Sequence, residues 1–580
     1  MSSFRRNNSS AVALIAALFL LAIGLAGQTA PSAPDAALKA FSADSVLNHI
    51  KKLASDEFEG RAPGSRGEEL TVKYLTDQFR ALGLAPGNPD GTYVQKVPLV
   101  EITADPRMKL AFTGAAAHLE PKYQDDFVAW TKRVTQSVSL DAEMIFLGYG
   151  VQAPEFQWDD FKGVDVKGKV IVVLVNDPPV PDPKDASKLD PKVFGGKAMT
   201  YYGRWTYKYE KAAEKGAAGC LIIHETGPAG YPWTVVSQGR SGGQFDLVTP
   251  DKNMGRATME GWMTWDFAQK LFQAAGKDLA SLKKSAVTRE FKPVPLSLRA
   301  KLAINNKLRT VDSQNVVAKL VGSDAKLKNE YVIYSAHWDH FGIGPEVKGD
   351  KIYNGAVDNA SGTATLLEMA KAYKQLSVPP RRSILFLAVT GEEQGLLGSE
   401  YYAKRPLYPL AHTAAVVNMD AMNVLGKTND LVSVGLGSST LDEIVIAEAR
   451  AQGRTVKPDA EPEKGFFYRS DHFPFSKAGV PAFDPGAGTE YVGKPADWGM
   501  KMRAKYTAED YHKPSDEVKL DWDLSGLVQD AQLFFMVGYR VANEPKLPEW
   551  KPGTEFKAAR EASLKAAAEK AAPAKSPKKP

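Results

Sequence analysis

The chain has 580 residues, long enough for two or three domains, and carries a formal net charge of +5 from 73 basic and 68 acidic residues. The whole excess lies in residues 551–580, where eight basic side chains face three acidic ones, so a nucleic-acid-binding role has no support. The single cysteine, Cys220, excludes an intramolecular disulfide and a thiolate cluster, so any metal must be held by histidine, aspartate and glutamate.

Residues 1–30 differ in composition from the rest of the chain. Arg5 and Arg6 precede an apolar run over residues 11–26, and small residues follow up to Ala30. This arrangement is typical of a secretory signal peptide. An uncleaved anchor is the alternative, but the run is shorter than the roughly 20 apolar residues that a membrane span needs. We therefore predict an exported protein, periplasmic or extracellular, without stable membrane insertion after signal cleavage.

Two predicted helices and then a β-rich region follow. Apolar residues recur at helical spacing over residues 40–85, interrupted by glycines between 60 and 67, which predicts two helices joined by a loop. Around residue 140 the pattern changes to short apolar runs with one helix-like stretch among them. We predict a small β-rich domain over residues 137–298. The apolar runs lie at residues 144–148, 170–175 and 220–223.

From about residue 300 onward, strand, loop and helix signals alternate. The strand signals are short and apolar on consecutive positions, which is typical of strands buried on both faces. They predict an α/β fold with a mixed, largely parallel sheet flanked by helices. The five runs lie at residues 316–321, 331–336, 384–389, 414–418 and 480–483.

Potential metal ligands stand directly after three of these runs. His337 and Asp339 follow the second run, Glu392 and Glu393 the third, and Asp420 the fourth. In an open α/β sheet, ligands bind at the carboxyl ends of the strands. The sequence therefore brings these side chains to one edge of the predicted sheet.

Two further candidates complete the set. Asp358 stands directly before an apolar-periodic helix at the same edge, and His512 lies in a predicted loop. Each group alone has an ordinary explanation, such as a helix cap or a solvated face. Together they indicate a metal site, because histidine and carboxylates are suitable zinc ligands. His340, which closes the string that begins at His337, is predicted to be structural.

Residues 305–540 resemble the zinc peptidase family M28. The motifs that carry the resemblance occur in the family's order: His-x-Asp, Val-Asp-Asn-Ala-Ser-Gly, Gly-Glu-Glu-x-Gly-Leu-x-Gly-Ser, Asn-Met-Asp and Tyr-His-x-Pro-x-Asp. The resemblance implies a zinc-exopeptidase fold with two Zn²⁺ per chain. His337 and Asp420 would hold one ion, Glu393 and His512 the other, and Asp358 would bridge them.

The same resemblance implies the catalytic roles. Glu392 would be the general base, taking a proton from water and passing it to the leaving amine. Asp339 would orient the ligating imidazole of His337. Tyr468, just ahead of a Ser-Asp-His triplet, would stabilise the oxyanion, and the peptide bond that follows Asp358 would be cis.

The β-rich segment resembles the protease-associated (PA) domain, through Gly-Lys-Val-Ile-Val-Val at 168–173 and Ala-Ala-Glu-Lys-Gly-Ala-Ala-Gly-Cys-Leu-Ile-Ile at 212–223. The expected organisation is a signal peptide, the N-terminal part of a peptidase domain, an inserted PA-like domain, the main zinc peptidase domain and a basic, disordered tail. These parts span residues 1–30, 31–136, 137–298, 299–545 and 546–580.

The predicted function is an exported di-zinc metallo-aminopeptidase that acts on peptides. A carboxypeptidase acting on acidic C-terminal residues or a glutaminyl cyclase of the same fold stays open, because that choice depends on pocket shape. A one-metal cyclase is disfavoured, since every ligand position of the two-metal pattern is filled. A non-catalytic, receptor-like homologue is also disfavoured, because Glu392 and all five ligands are present.

Overall fold

The computed structural model describes residues 34–115, 117–239 and 242–571. The predicted signal peptide at residues 1–30 and the last part of the predicted tail, residues 572–580, lie outside the described residues. None of the helices in these ranges is both long enough and apolar enough to cross a membrane.

A mixed sheet, called here the central sheet, organises the C-terminal half of the chain. Four neighbouring strands run parallel, in the order Ser383–Val389, Tyr331–His337, Thr413–Asn418 and Ala482–Gly486. The long strand Val294–Leu320 joins them antiparallel along Ser383–Val389. The predicted α/β fold with a mixed, largely parallel sheet is confirmed. The remaining strands of this sheet include Val94–Ala104, Gly243–Leu247, Asp430–Val434 and Thr455–Pro458.

Both faces of the central sheet are buried. Successive residues of a strand point to opposite faces, so each strand contributes side chains to two cores. Val332 and Tyr334 pack into the core on one face, whereas Tyr331 and Ile333 pack into a core on the other. The first face is covered by the helices Ala43–Leu53, Arg66–Ala81, Gly362–Lys374 and Ser525–Asn543. The second face is covered by Leu397–Lys404 and His472–Lys477. The two helices predicted within residues 40–85 are confirmed.

A second sheet, called here the insert sheet, forms the β-rich region. Its strands Ser137–Phe146, Val170–Leu174, Gly219–His224 and Met259–Thr264 run parallel in that order. The helices of this region are Trp205–Glu214, Trp265–Ala274 and Leu279–Ser285. The strand Val294–Leu320 belongs to both sheets, pairing with Ser137–Phe146 through its first half and with Val94–Ala104 through its second.

The insert sheet begins earlier than the predicted boundary at residue 137. Lys109–Gly114 pairs with residues 299–303, and Phe127–Trp130 pairs with residues 260–263. These two short strands were assigned to the N-terminal part of the peptidase domain because neither is long enough to show a periodic pattern. The C-terminal boundary also differs, since one continuous strand crosses residue 298.

The predicted disordered tail is ordered over much of its length. Trp550 is buried and donates from Nε1 to the carbonyl oxygen of Gly479 at 2.9 Å, and Phe556 is buried beside it. A helix follows at Lys557–Ala571, in which Arg560 bonds to two backbone carbonyls of the main domain. The composition of the tail predicts a frayed helix followed by a disordered end. The helix is present, and these few buried side chains hold residues 546–571 against the domain.

Candidate metal centre

The structure brings the five predicted ligands together at the carboxyl edge of the central sheet. The first group of donors surrounds His337, the last residue of its strand. Its Nε2 lies 3.3 Å from Oδ1 of Asp358 and 3.3 Å from Oδ1 of Asp420. The other carboxylate oxygen of Asp420, Oδ2, accepts a hydrogen bond from the Ser470 hydroxyl at 2.6 Å, and this bond orients the side chain.

The second group of donors surrounds His512. Its Nε2 lies 3.3 Å from Oδ2 of Asp358 and 3.2 Å from Oε2 of Glu393. Asp358 therefore contributes one oxygen to each group. A single carboxylate stands between two histidines that come from segments more than 150 residues apart.

The spacing and chemistry of these donors fit zinc. Zinc ligated at 2.0–2.1 Å in tetrahedral geometry has neighbouring ligand atoms about 3.3 Å apart, which matches the separations in both groups. No lysine or arginine within the described ranges forms an ion pair with Asp358, Glu392, Glu393 or Asp420. The carboxylates are thus free of cationic side chains, and two hard-to-borderline cations would balance them.

Glu392 lies beside both donor groups, but it makes none of the contacts with His337 or His512 described above. One atom from each of His337, Glu392 and Glu393 can be chosen so that all lie within 4.8 Å of one another. Burial and the neighbouring charges of Glu393 and Asp420 raise the pKa of Glu392 well above its usual value, although His337 opposes the shift. Bound cations would lower that pKa again, leaving a carboxylate able to accept a proton.

Asp339 links the strand of His337 to the strand end that carries the glutamates. The Nδ1 of His337 lies 3.2 Å from the backbone oxygen of Asp339 and 3.8 Å from its carboxylate Oδ1. That same Oδ1 accepts a hydrogen bond from the backbone N–H of Glu392 at 3.1 Å. Asp339 is fully buried, so it is positioned to fix the ring of His337 and the start of the Glu392 loop together.

Two residues that the sequence analysis did not single out support the Asp358 loop. Asp516 accepts hydrogen bonds from the backbone N–H groups of Val357 and Asp358, each at 3.0 Å. It lies four residues after His512, so it couples the two segments that carry these ligands. The peptide bond from Asp358 to Asn359 is cis, as the resemblance implied.

Arg61 is the second unpredicted support. Its buried guanidinium donates to the backbone oxygens of Leu53, Trp338, Asn354 and Gly355 at 2.6–2.9 Å. The last three carbonyls belong to the segments that present His337 and Asp358. The sequence shows only that Arg61 lies beside the glycine-rich break between two helices. Nothing in its local sequence indicates which carbonyl groups it binds.

His340, predicted to be structural, contacts the predicted ligand Glu393. Its Nδ1 lies 2.6 Å from Oε1 of Glu393, while Oε2 of the same carboxylate faces His512. His340 is fully buried, and burial lowers its pKa to about 4. A neutral ring that donates from Nδ1 would hold one oxygen of Glu393 and leave the other for a cation.

Tyr468 does not take the predicted place at the metal centre. Its hydroxyl donates to Oε1 of Glu555 at 2.9 Å, and its ring packs against Tyr201 and Phe473. The sequence placed it correctly before the triplet, but the hydroxyl is directed into an aromatic cluster away from the ligands. The predicted oxyanion role for Tyr468 does not fit this geometry.

Tyr511, the residue before His512, lies at the metal centre. Its ring stacks on His512 with centroids 3.7 Å apart, and the side chain is 43% exposed. Partial burial of the side chain, followed by the charges of Asp358, Glu393, Glu392 and Asp420, raises the pKa of Tyr511 well above its usual value. The stacking on His512 thus places Tyr511 beside a predicted ligand, and its pKa responds to the four acidic groups of the site.

Comparison with known proteins finds relatives of part of the chain. Residues 315–536 match the model of peptidase family M28, which confirms the resemblance for that segment. A probable zinc metalloprotease of Pyrenophora teres f. teres (strain 0-1) is 37% identical over 111 residues, covering 19% of this chain and 23% of the relative. Aminopeptidase YwaD of Bacillus subtilis (strain 168) is 38% identical over 91 residues, covering 16% of this chain and 17% of the relative.

A solved structure supports the fold over most of the chain. The aminopeptidase from Aneurinibacillus sp. strain AM-1 superposes with a TM-score of 0.51 at 19% identity, covering 89% of this chain and 97% of that one. At this identity the likeness establishes a shared fold. The chain spans less than a quarter of the length of the two relatives matched by sequence.

Proposed function

We propose that this chain, whose residues 315–536 match the model of peptidase family M28, is an exported metallo-aminopeptidase that uses two Zn²⁺ to hydrolyse the N-terminal bond of peptides. The observation that carries the proposal is the shared carboxylate of Asp358. Its two oxygens lie 3.3 Å from His337 and 3.3 Å from His512. A carboxylate that faces two separate donor groups suits a pair of cations, because it offsets their mutual repulsion.

Zinc, when bound, supplies a Lewis acid that polarises the scissile carbonyl and makes water more acidic. The protein supplies the proton transfers. Glu392 accepts the proton of the attacking water and delivers it to the leaving amine. Glu393 can face the donor group of His512 while Glu392 remains free, because adjacent residues at a strand end point in different directions. Asp339 keeps the ring of His337 in place during turnover.

Tyr511 is the proposed donor to the oxyanion. Replacing it with phenylalanine should lower kcat on the order of 10²-fold with little change in KM, because a donor to developing charge acts in the transition state. Steady-state kinetics of Tyr511→Phe, with zinc content measured in parallel, checks this. Tyr539→Phe, on a helix remote from the ligands, is the matched control. A kcat within twofold of the wild type would exclude the role.

Metal removal tests the proposed function itself. The purified protein should contain two zinc ions per chain and hydrolyse an unblocked aminoacyl anilide. Dialysis against a zinc chelator should abolish hydrolysis, and zinc should restore it. Metal analysis by mass spectrometry and the rate before and after chelation are the measurements. Full activity in metal-free protein, or saturation at one zinc, would contradict the two-ion proposal.

Export and a PA domain belong to the same proposal. Arg5, Arg6 and the apolar run over residues 11–26 support export to the periplasm or the extracellular space. The segment around the insert sheet would be the PA domain and would border the substrate cleft.

N-terminal sequencing of the protein recovered outside the cytoplasm tests export: retention of residues 1–30 would contradict cleavage of a signal peptide.

A further inference from the structure

Two arginine side chains, Arg204 and Arg469, have no counter-ion within the described residues. Arg204 directly precedes the helix Trp205–Glu214 of the insert region, and Arg469 lies in the loop before Ser470. Both are half-buried, and the Nε of each is buried without a hydrogen-bond partner. In the part of the chain that the structure describes, neither guanidinium makes a hydrogen bond or an ion pair.

Other buried arginines of this protein are fully engaged. Arg61 donates to four backbone carbonyls. Arg382 binds Glu330 at 2.6 Å and a backbone oxygen, and Arg454 binds Asp530 at 2.7 Å. A guanidinium that loses water without gaining acceptors destabilises the fold. Arg204 and Arg469 differ: each has a buried Nε without a partner, and the remaining N–H groups of each guanidinium are available to a ligand that the protein chain does not provide.

The surroundings of the two arginines are positively charged, which favours the binding of an anion. Burial and the charge of Arg469 lower the pKa of Arg204 to about 10. Arg469 lies over the ring of Phe466 at 5.4 Å, and a third guanidinium, Arg503, lies over the same ring at 4.9 Å. Arg469 and Arg503 thus share one aromatic ring, and Arg204 is close enough to Arg469 for the charge of Arg469 to lower the pKa of Arg204. Arg503 likewise forms no hydrogen bond or ion pair through its side chain within the described residues.

This arginine cluster, formed by Arg204, Arg469 and Arg503, adjoins the metal centre. Ser470, the residue after Arg469, bonds to Asp420 at 2.6 Å. Arg503 lies on the helix Trp498–Glu509, which leads directly into the loop of His512. The cluster therefore lies on segments that continue into both donor groups.

The insert region closes the cluster from the other side. The backbone N–H of Met199 bonds to the backbone oxygen of Pro462 at 3.0 Å. The ring of Tyr201 packs against Tyr468 and Phe473. These contacts bring Arg204 to the loop that carries Arg469. The cluster therefore lies where the insert region meets the peptidase region.

We propose that the arginine cluster is a subsite for a carboxylate of the substrate, so that the enzyme prefers short peptides with a negative group close to the scissile bond. The proposal rests on the proposed peptidase function. Guanidinium groups bind carboxylates in paired hydrogen bonds, and the planar fork favours this geometry. The carboxylate is either the C-terminal group of a short peptide or an acidic side chain.

Two matched peptide pairs distinguish these sources. Leu-Ala-Ala with a free C-terminus is compared with its C-terminal amide, and Leu-Glu-Ala amide is compared with Leu-Gln-Ala amide. At least one acidic member should show a kcat/KM about tenfold or more above its neutral partner, because hydrogen bonds between charged groups contribute that much. Product analysis at early times shows which end is released, so C-terminal release would refute the aminopeptidase proposal while leaving the subsite intact.

Variants connect the preference to the cluster. Arg204→Gln and Arg469→Gln should each reduce the preference to near unity, mainly through KM, while zinc content and Tm stay unchanged. Arg450→Gln, an exposed arginine on another helix, is the charge-matched control and should keep it. Calorimetric titration of the acid and amide peptides into Glu392→Gln protein reports binding even without turnover. Equal affinities and rates within both pairs, or a preference that survives in both variants, would overturn the proposal.

Discussion

Glu392→Gln is expected to lose nearly all turnover while keeping the fold and the metal content. An amide of the same shape cannot accept a proton from water, and removal of a general base typically costs on the order of 10²- to 10⁴-fold in rate. Glu392 is not one of the five predicted ligands, and its carboxylate makes no ion pair within the described residues. Zinc binding should therefore survive the substitution.

The measurement for Glu392→Gln is kcat on an unblocked aminoacyl anilide, with zinc per chain determined on the same sample. Glu443→Gln, an exposed glutamate whose side chain is 69% accessible, controls for the loss of one negative charge. A Glu392→Gln protein with more than half of the wild-type rate would show that another group takes the proton.

Asp358→Ala is expected to lose metal as well as activity. Its carboxylate faces both His337 and His512, so one substitution removes a ligand atom from each donor group. We expect the rate to fall by more than about 100-fold, since loss of mere outer partners of metal ligands costs 10- to 100-fold. The loop should keep its position, because Asp516 binds the backbone N–H groups of residues 357 and 358.

Zinc per chain after dialysis, with circular dichroism as a check on folding, tests the role of Asp358. Asp312→Ala, at an exposed position on the long strand, is the matched control and should retain its zinc. Two tightly bound zinc ions in a folded Asp358→Ala protein would exclude a bridging carboxylate.

The central sheet was predictable because its signal is local. Runs such as 331–336 and 384–389 are apolar on consecutive positions, and the structure buries both strands completely. The insert boundary was not predictable in the same way. Lys109–Gly114 and Phe127–Trp130 are short strands that join the insert sheet through partners at least 130 residues away.

The grouping of the five proposed ligands was predictable because each follows a strand or lies in a motif. The residues that position them were not predictable. Arg61 acts on carbonyls about 280 residues further along the chain, and no local pattern encodes such contacts. The choice between Tyr468 and Tyr511 likewise depends on which hydroxyl faces the carboxylates, which only the packing of Tyr468 against Glu555 decides.

His340 shows the same limit on a smaller scale. Its position three residues after His337 places it beyond the strand, where sequence offers no guide to orientation. In the folded protein it meets Glu393, a residue of the neighbouring strand end. Residues near a predicted ligand in sequence can therefore act on a different ligand, and distances between side chains are needed to assign them.

The most direct test of the aminopeptidase proposal compares one substrate with a free and with a blocked amine. A neutral α-amine has a lone pair available to the metal centre, whereas an acetyl group removes that basicity and adds bulk. A misplacement of about 1 Å can cost 10²-fold, so kcat/KM for leucine p-nitroanilide should exceed that for its N-acetyl form by about that factor or more. Comparable values for the two substrates would contradict the account and indicate an endopeptidase or a carboxypeptidase instead.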